Sequence, residues 1–237
     1  ILLALLSIAG YFLYKRRRDD LEKKKVAEFK AKVAETELKA LRSQMNPHFI
    51  FNSLNSISDF ISKNDTTQAN GYLVKFAKLT RSILENSEKK WITLEEDLEL
   101  MELYMQLEGL RLKNKFDYSI AVDKNIELDN TLVPPLILQP FIENSIWHGI
   151  AKKEKDGKIN IEIKKEGNMM LCIVEDNGVG RSRAVQPNQD KSSLGVKITG
   201  NRIDIINHLN NTKGAITMAD KEEGLRVALK LPLELQF

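Results

Sequence analysis

The run Gln44-Met45-Asn46-Pro47-His48-Phe49-Ile50-Phe51-Asn52-Ser53-Leu54-Asn55 sets one histidine on a helical pattern beside a proline. Imidazole titrates close to neutral pH and carries a nucleophilic nitrogen when unprotonated, so His48 is a candidate phosphoryl acceptor. The same residues also fit a histidine at a helix seam, satisfied by its asparagine neighbours. Proline removes a backbone bond and bends a helix, so a kink is expected at Pro47. A second run, Gln139-Pro140-Phe141-Ile142-Glu143-Asn144-Ser145-Ile146-Trp147-His148-Gly149, places Asn144 on a helix. Magnesium takes oxygen ligands and keeps several waters, so one amide oxygen together with nucleotide phosphates can hold it. A solvated or capping asparagine is the plainer reading. The third run, Glu175-Asp176-Asn177-Gly178-Val179-Gly180, follows an apolar strand. An aspartate at a strand end can accept from an adenine amine, and Gly178 and Gly180 permit the turns that close approach to a nucleotide requires. Taken alone, Asp-x-Gly-x-Gly is also a common turn. Further on, Leu194-Gly195-Val196 opens a helix whose first N–H groups could face phosphates.

Several elements must position these groups. Between Asp19 and about Met45 there is no Gly or Pro, and Lys, Glu and Ala dominate, all strong helix formers. Ala27, Ala31, Ala34, Leu38, Leu41 and Met45 alternate spacings of four and three, a heptad seam on which His48 takes the next place. Helical patterning continues through Phe49, Leu54, Ile57 and Phe60, and Ser62 to Thr66 reads as a polar turn with a capping residue. A second helix follows through Leu73, Phe76, Leu79 and Ile83. Two such hairpins make a four-helix bundle. Thr93-Leu94-Glu95-Glu96 fits a capping box that opens a third helix reaching about Arg111.

The texture changes after Lys115. Phe116 to Val122, Lys158 to Ile163, Met169 to Glu175, Ala215 to Ala219 and Leu225 to Leu231 read as strands. Leu136 to Gly149 reads as a helix opening on Pro134-Pro135, and another helix runs through Ile203, Ile206 and Leu209 to Asn210-Asn211. Val179 to Ser193 is polar and loop-like. Helices with an antiparallel-leaning sheet predict an α+β fold whose C-terminal part is a two-layer α/β sandwich.

Composition narrows the class. The chain is 42% hydrophobic and 29% charged, which is globular rather than disordered. A net charge of +3 sits largely in Lys15-Arg16-Arg17-Arg18 and Lys23-Lys24-Lys25, so no direct nucleic-acid partner is expected. The single cysteine, Cys172, excludes an internal disulfide and a Cys-rich zinc site, and its apolar surroundings predict a buried thiol. Ile1 to Tyr14 is apolar and stops at the basic run. It is shorter than the roughly 20 residues of a spanning helix. Because the chain begins with Ile, the stretch is expected to be the end of a longer membrane helix with the basic run on the cytoplasmic side. A signal-peptide core or a buried helix are the other readings.

From about Leu38 to Leu231, the order and spacing of the three runs resemble the LytS/YehU-type sensor histidine kinases of the gyrase, MutL and histidine-kinase ATPase superfamily. Asn46-Pro47-His48-Phe49 with Asn52 and Leu54-Asn55 is similar to that family's phosphoacceptor box. Pro134-Pro135, Gln139-Pro140 and Glu143-Asn144 with His148-Gly149 are similar to its asparagine box, and Asp176 to Gly180 to its first glycine box. The resemblance implies that ATP phosphorylates His48, that Asn144 binds magnesium and that Asp176 meets adenine. His148, Gly178, Gly180 and Gly195 would line the nucleotide site, with Val179 to Ser193 as a lid. It further implies a homodimer, a response-regulator partner with, in this family, often a LytTR-type DNA-binding domain, and a place in the inner (cytoplasmic) membrane with the kinase region in the cytoplasm. The organisation implied is a membrane-helix end over 1–14, a signalling coiled coil over 15–42, a dimerisation and phosphotransfer region over 43–112 and an ATP-binding domain over 113–237. Three departures stand out: Ser193 and Ile198 where the second glycine box usually has Gly and Asn, and Trp147 where many relatives carry Lys. The acidic residue that follows the acceptor in the larger kinase families is Phe49 here, which leaves no general base identifiable for His48. A membrane-tethered scaffold without phosphotransfer, or an ATPase of the same superfamily, are the alternatives.

Overall fold

A computed structural model describes residues 11, 14–21, 24, 47–87, 89–154, 156–180 and 194–235. The chain forms two compact units, Ile1–Lys39 and Ala40–Phe237. In the first, the described residues are helical. The heptad seam, the apolar run up to Gly10, the residues before Pro47 and most of the expected lid lie outside the described residues. Among the described residues no helix is long and apolar enough to cross a membrane.

The second unit opens with three helices. Helix α1 spans Pro47–Ser62 and α2 spans Thr66–Ser87. The polar turn between them is where the pattern predicts it: Asn64 takes φ 57° and Asp65 Oδ1 accepts from the Gln68 N–H at 3.0 Å. The two helices lock through Tyr72, whose buried hydroxyl donates to Ser53 Oγ at 3.3 Å. Helix α3, Leu94–Arg111, starts on the predicted capping box, with Thr93 and Glu96 exchanging side-chain and backbone bonds. Its buried residues, from Leu98 and Met101 to Tyr104 and Leu107, cover more than half of its circumference, and Glu95, Glu99 and Glu102 mark the exposed remainder. That pattern belongs to a helix covered on both sides, and α3 packs between the helical pair and the sheet.

The main sheet follows the order β2-β4-β5-β7-β6, with β2 Phe116–Val122, β4 Gly157–Glu166, β5 Met169–Asp176, β6 Ala215–Asp220 and β7 Leu225–Pro232. β2 runs parallel to β4 and every other pairing is antiparallel. On β4, Ile159, Ile161 and Ile163 are buried while Lys158 and Asn160 are exposed, the period of two expected when one face is covered. That face shares a core with Phe141, Ile142 and Ile146 and with Ile203 of helix α5, Leu194–Asn210. The result is the α+β architecture with a helix-on-sheet sandwich that the element pattern predicts. A small second sheet, β1 Ile92–Thr93, β3 Thr131–Val133 and β8 Glu234–Leu235, has strands too short to leave a periodic signal.

The helix expected from Leu136 to Gly149 is corrected. Leu136 has φ 56° and helix α4 spans Gln139–Asn144, continuing as a π turn over Ser145–Gly149 and a 3-10 turn over Ile150–Lys152. Proline is tolerated only in a helix's first turn. A start at Leu136 would bury Pro140 in the interior; a start at Gln139 places it second.

Asp97 on α3 ties this start to the helical region. It is fully buried, its Oδ1 accepts from the Leu136 N–H at 2.6 Å, and its Oδ2 has no partner. Burial pushes the carboxyl up to about 7 from 3.8, opposed by the Leu136 bond and by Arg202. A raised carboxyl destabilises the fold once the unfolded chain ionises, so the penalty is absent below pH 3.8 and complete above about pH 7. Asp97→Asn keeps the Oδ1 acceptor and removes the charge. From pH 5 to pH 8, the stability difference should move in the variant's favour by about 2–3 kcal/mol. Urea unfolding at the two pH values reads it, and parallel curves for the two proteins would refute it.

Candidate nucleotide and phosphoacceptor site

Two groups of candidate residues emerge, one at the end of β5 and one where α1, α3 and the π turn meet. In the first, Asp176 closes β5 and is 4% exposed. Its Oδ2 accepts from the Ser145 hydroxyl at 2.8 Å and its Oδ1 from the Gly178 N–H at 2.8 Å. The Leu225 N–H is a further donor. Burial raises its carboxyl above the usual range, and those three donors pull the other way, Ser145 most. A carboxylate offers about four lone-pair positions, so one acceptor position remains for a ligand amine.

Glycines wall this carboxylate. A Cβ on Gly149 would stand 3.0 Å from Asp176 Oδ1. One on Gly178 would overlap the Gly149 backbone, and one on Gly224, at φ 85°, would overlap the Asp176 carbonyl. Gly180, at φ 70°, has the Gly224 backbone as its nearest neighbour. The close packing around Asp176 thus depends on missing side chains at Gly149, Gly178 and Gly224, while Gly180 has room for a Cβ and is needed for its positive φ. Gly178 and Gly180 come from the predicted box. The importance of Ser145 and Gly224 was not read from sequence, because each acts on Asp176 across a long chain separation; the turn glycine at 224 was the one available signal.

The remaining candidates divide. Asn144 is half-buried at the last position of α4, immediately before Ser145. His148 is exposed, with desolvation and then Lys152 lowering its pKa. Gly195 faces Pro140, where a Cβ would come within 2.9 Å of the proline ring, so its small size lets α5 close onto α4. Ile198, where an asparagine was the family expectation, is 5% exposed and belongs to the core. Lys153 is engaged, donating to the Asn177 carbonyl at 2.8 Å; Lys197 is exposed. No cluster of three or more His, Cys, Asp or Glu suited to a metal occurs among the described residues. Cys172 is buried, as expected, and burial pushes its thiol up to about 12.

The second group surrounds His48, which is exposed in the first turn of α1. The Asn52 amide nitrogen lies 3.2 Å from each ring nitrogen, within reach of whichever holds the lone pair. The imidazole meets Trp147 edge to face with centroids 4.7 Å apart. The Arg111 guanidinium lies 3.8 Å above the Trp147 ring. Trp147 therefore occupies the lysine position of many relatives as a packing surface between α1 and α3, only three residues beyond Asn144. Arg111, Glu108 and Tyr104 were read simply as part of a helix, since nothing local marks them.

Sequence comparison agrees with this architecture. Residues 36–116 match the family described as histidine kinase. The similarity over those residues is to the histidine kinase family. Within it the chain is homologous to the LytS-type sensor kinases: it is 30% identical to sensor protein LytS of Staphylococcus haemolyticus over 87% of this chain and 36% of that protein. It is 29% identical to the sensor histidine kinase BtsS of Escherichia coli K12 over 86% of this chain and 34% of that protein. The chain thus spans about a third of the length of these curated relatives. Among solved structures, the histidine kinase domain of the Erythrobacter litoralis blue-light activated kinase is similar at a TM-score of 0.48 and 14% identity, covering 84% of this chain and 93% of that one.

Proposed function

We propose that this chain is the kinase portion of a two-component sensor, which binds ATP at the Asp176 cradle and transfers its γ-phosphate to His48. The observation that carries the reading is the pairing, in one chain, of an exposed imidazole on a helix with a buried carboxylate packed against glycines. Adenine would donate its amine to the remaining acceptor position of Asp176 and lie against Gly149, Gly178 and Gly224. Asn144 would hold magnesium, which supplies charge neutralisation at the phosphates. The protein's own work is then to orient the imidazole in line with the γ-phosphorus and to exclude water, since phosphoryl transfer needs positioning more than covalent help.

Division of labour would follow the sequence: 43–112 for dimerisation and phosphotransfer, 113–237 for ATP. Phe51, Leu54, Ile61, Leu73, Val74 and Leu84 are exposed apolar side chains on α1 and α2, which supports a homodimer formed by these two helices. The phosphohistidine would pass to an aspartate of a response regulator, with a LytTR-type one as the family precedent, and a membrane helix ending near Tyr14 would carry the signal.

Incubation of the chain with ATP bearing a radioactive γ-phosphate tests the reading. The protein should take up label that is lost in acid and kept in alkali, as a phosphoramidate is. Label stable to acid, or steady release of inorganic phosphate without protein label, would reject it.

A further inference from the structure

We propose that Glu108 is the positioning residue of His48, binding one imidazole N–H so that the other ring nitrogen faces the phosphate; this rests on the reading of His48 as acceptor. Phe49, which follows His48 in sequence, cannot provide an acidic partner. It is 8% exposed and packs on Tyr104 at 5.2 Å and Phe76 at 5.9 Å between centroids. Helix α3 brings a carboxylate into the same packed region.

Glu108 has no solvent exposure. Arg111 Nε and Nη2 both donate to its Oε2, at 3.1 and 2.7 Å, while Oε1 is buried without any partner. A buried carboxylate is costly unless its lone pairs are used, and this one leaves an oxygen idle. Burial raises its carboxyl above the usual range, with the Arg111 bond, the Arg111 charge and, last, His48 pulling the other way. The same arginine caps the Trp147 face, Trp147 donates its indole N–H to the Tyr104 hydroxyl, and its ring abuts His48. Glu108, Arg111, Trp147 and His48 thus form one connected set across α3, the π turn and α1, in which Glu108 Oε1 has no partner among the described residues.

In the transfer step, the lone pair of one His48 nitrogen forms the N–P bond while the bond from the γ-phosphorus to the ADP oxygen breaks. The ring gains positive charge. The proton on the other nitrogen passes to Glu108 Oε1, which bonds to no group among the described residues, and from there to solvent, giving neutral-ring phosphohistidine and ADP. Fixing the tautomer beforehand also spares the ring a search among orientations.

Glu108→Gln tests the assignment in the full chain. The labelling rate at saturating ATP should fall roughly 100-fold, the scale of one proton-handling group, with ATP affinity unchanged and the His48 ring-nitrogen NMR signals shifted toward mixed tautomers. A merely structural residue would lower rate and affinity together and leave those signals alone, which overturns the proposal, as does labelling at the wild-type rate. Should the wild-type chain take no label, the acceptor reading fails separately and the ring-nitrogen signals decide this one: an unchanged spectrum refutes it. If Glu108→Gln does not fold, Glu108→Asp keeps the charge but withdraws the oxygens by one methylene, and the same two readouts apply.

Discussion

Replacing His48 with glutamine should leave ATP binding intact and reduce labelling by roughly a thousandfold or more, because the imidazole is the nucleophile that forms the N–P bond. The expectation comes from the separation of roles. His48 is an exposed side chain whose neighbours are Asn52, at 3.2 Å, and the Trp147 ring, whereas the nucleotide cradle is built from Asp176, Ser145 and backbone. Losing the imidazole costs one aromatic contact, about 1 kcal/mol, so the variant remains folded. Equilibrium titration with an ATP analogue and the γ-phosphate label, measured on the same preparation, separate binding from chemistry. If the variant still takes up acid-labile label, another residue is the acceptor. If both binding and label vanish, His48 is holding the fold rather than receiving phosphate.

What could be read in the sequence was whatever leaves a periodic or local mark. The Thr93–Glu96 box, the polar turn from Ser62 to Thr66 and the alternation of β4 were legible because each depends on residues a few positions apart. Asp176 was legible too, since an acid followed by two spaced glycines after an apolar strand is itself a local pattern. Ser145 was not: it reaches Asp176 only because α4 ends in a π turn that packs on β5, and neither fact is written near position 145. The early start expected for α4 failed for a related reason. The apolar residues from Leu136 fit a helix, but the requirement that Pro140 sit in the first turn outweighs periodicity. Trp147 looked like a missing cation until the structure gave it Arg111 and His48 as neighbours. Glu108 and Arg111 were hidden most deeply, as an i,i+3 charge pair is ordinarily a solvated helix surface, and only their burial between two layers changes what they can do.

Gly224→Ala, compared with Gly167→Ala, should show that the cradle is a matter of contact and not of backbone strain. Both glycines have positive φ, 85° and 62°, so each alanine pays about 1–2 kcal/mol for the left-handed conformation. They differ in what surrounds them. Nothing lies within 4 Å of a Cβ at Gly167, whereas at Gly224 it would overlap the Asp176 carbonyl and come within 2.8 Å of Asp176 Oδ1. Those atoms belong to the last residue of a central strand, so they cannot withdraw as the tip of a flexible side chain would. The β6–β7 turn must move instead, taking with it the Leu225 N–H that helps to hold the carboxylate. Gly167→Ala is expected to lose only the backbone cost and to bind nucleotide normally. Gly224→Ala should lose about 2–4 kcal/mol of stability and, where still folded at low temperature, at least roughly 100-fold in ATP affinity, or about 3 kcal/mol. Thermal unfolding and calorimetric titration of the two variants side by side measure both effects. Equal ATP affinity in the pair would mean that the nucleotide does not sit against Gly224 and Asp176.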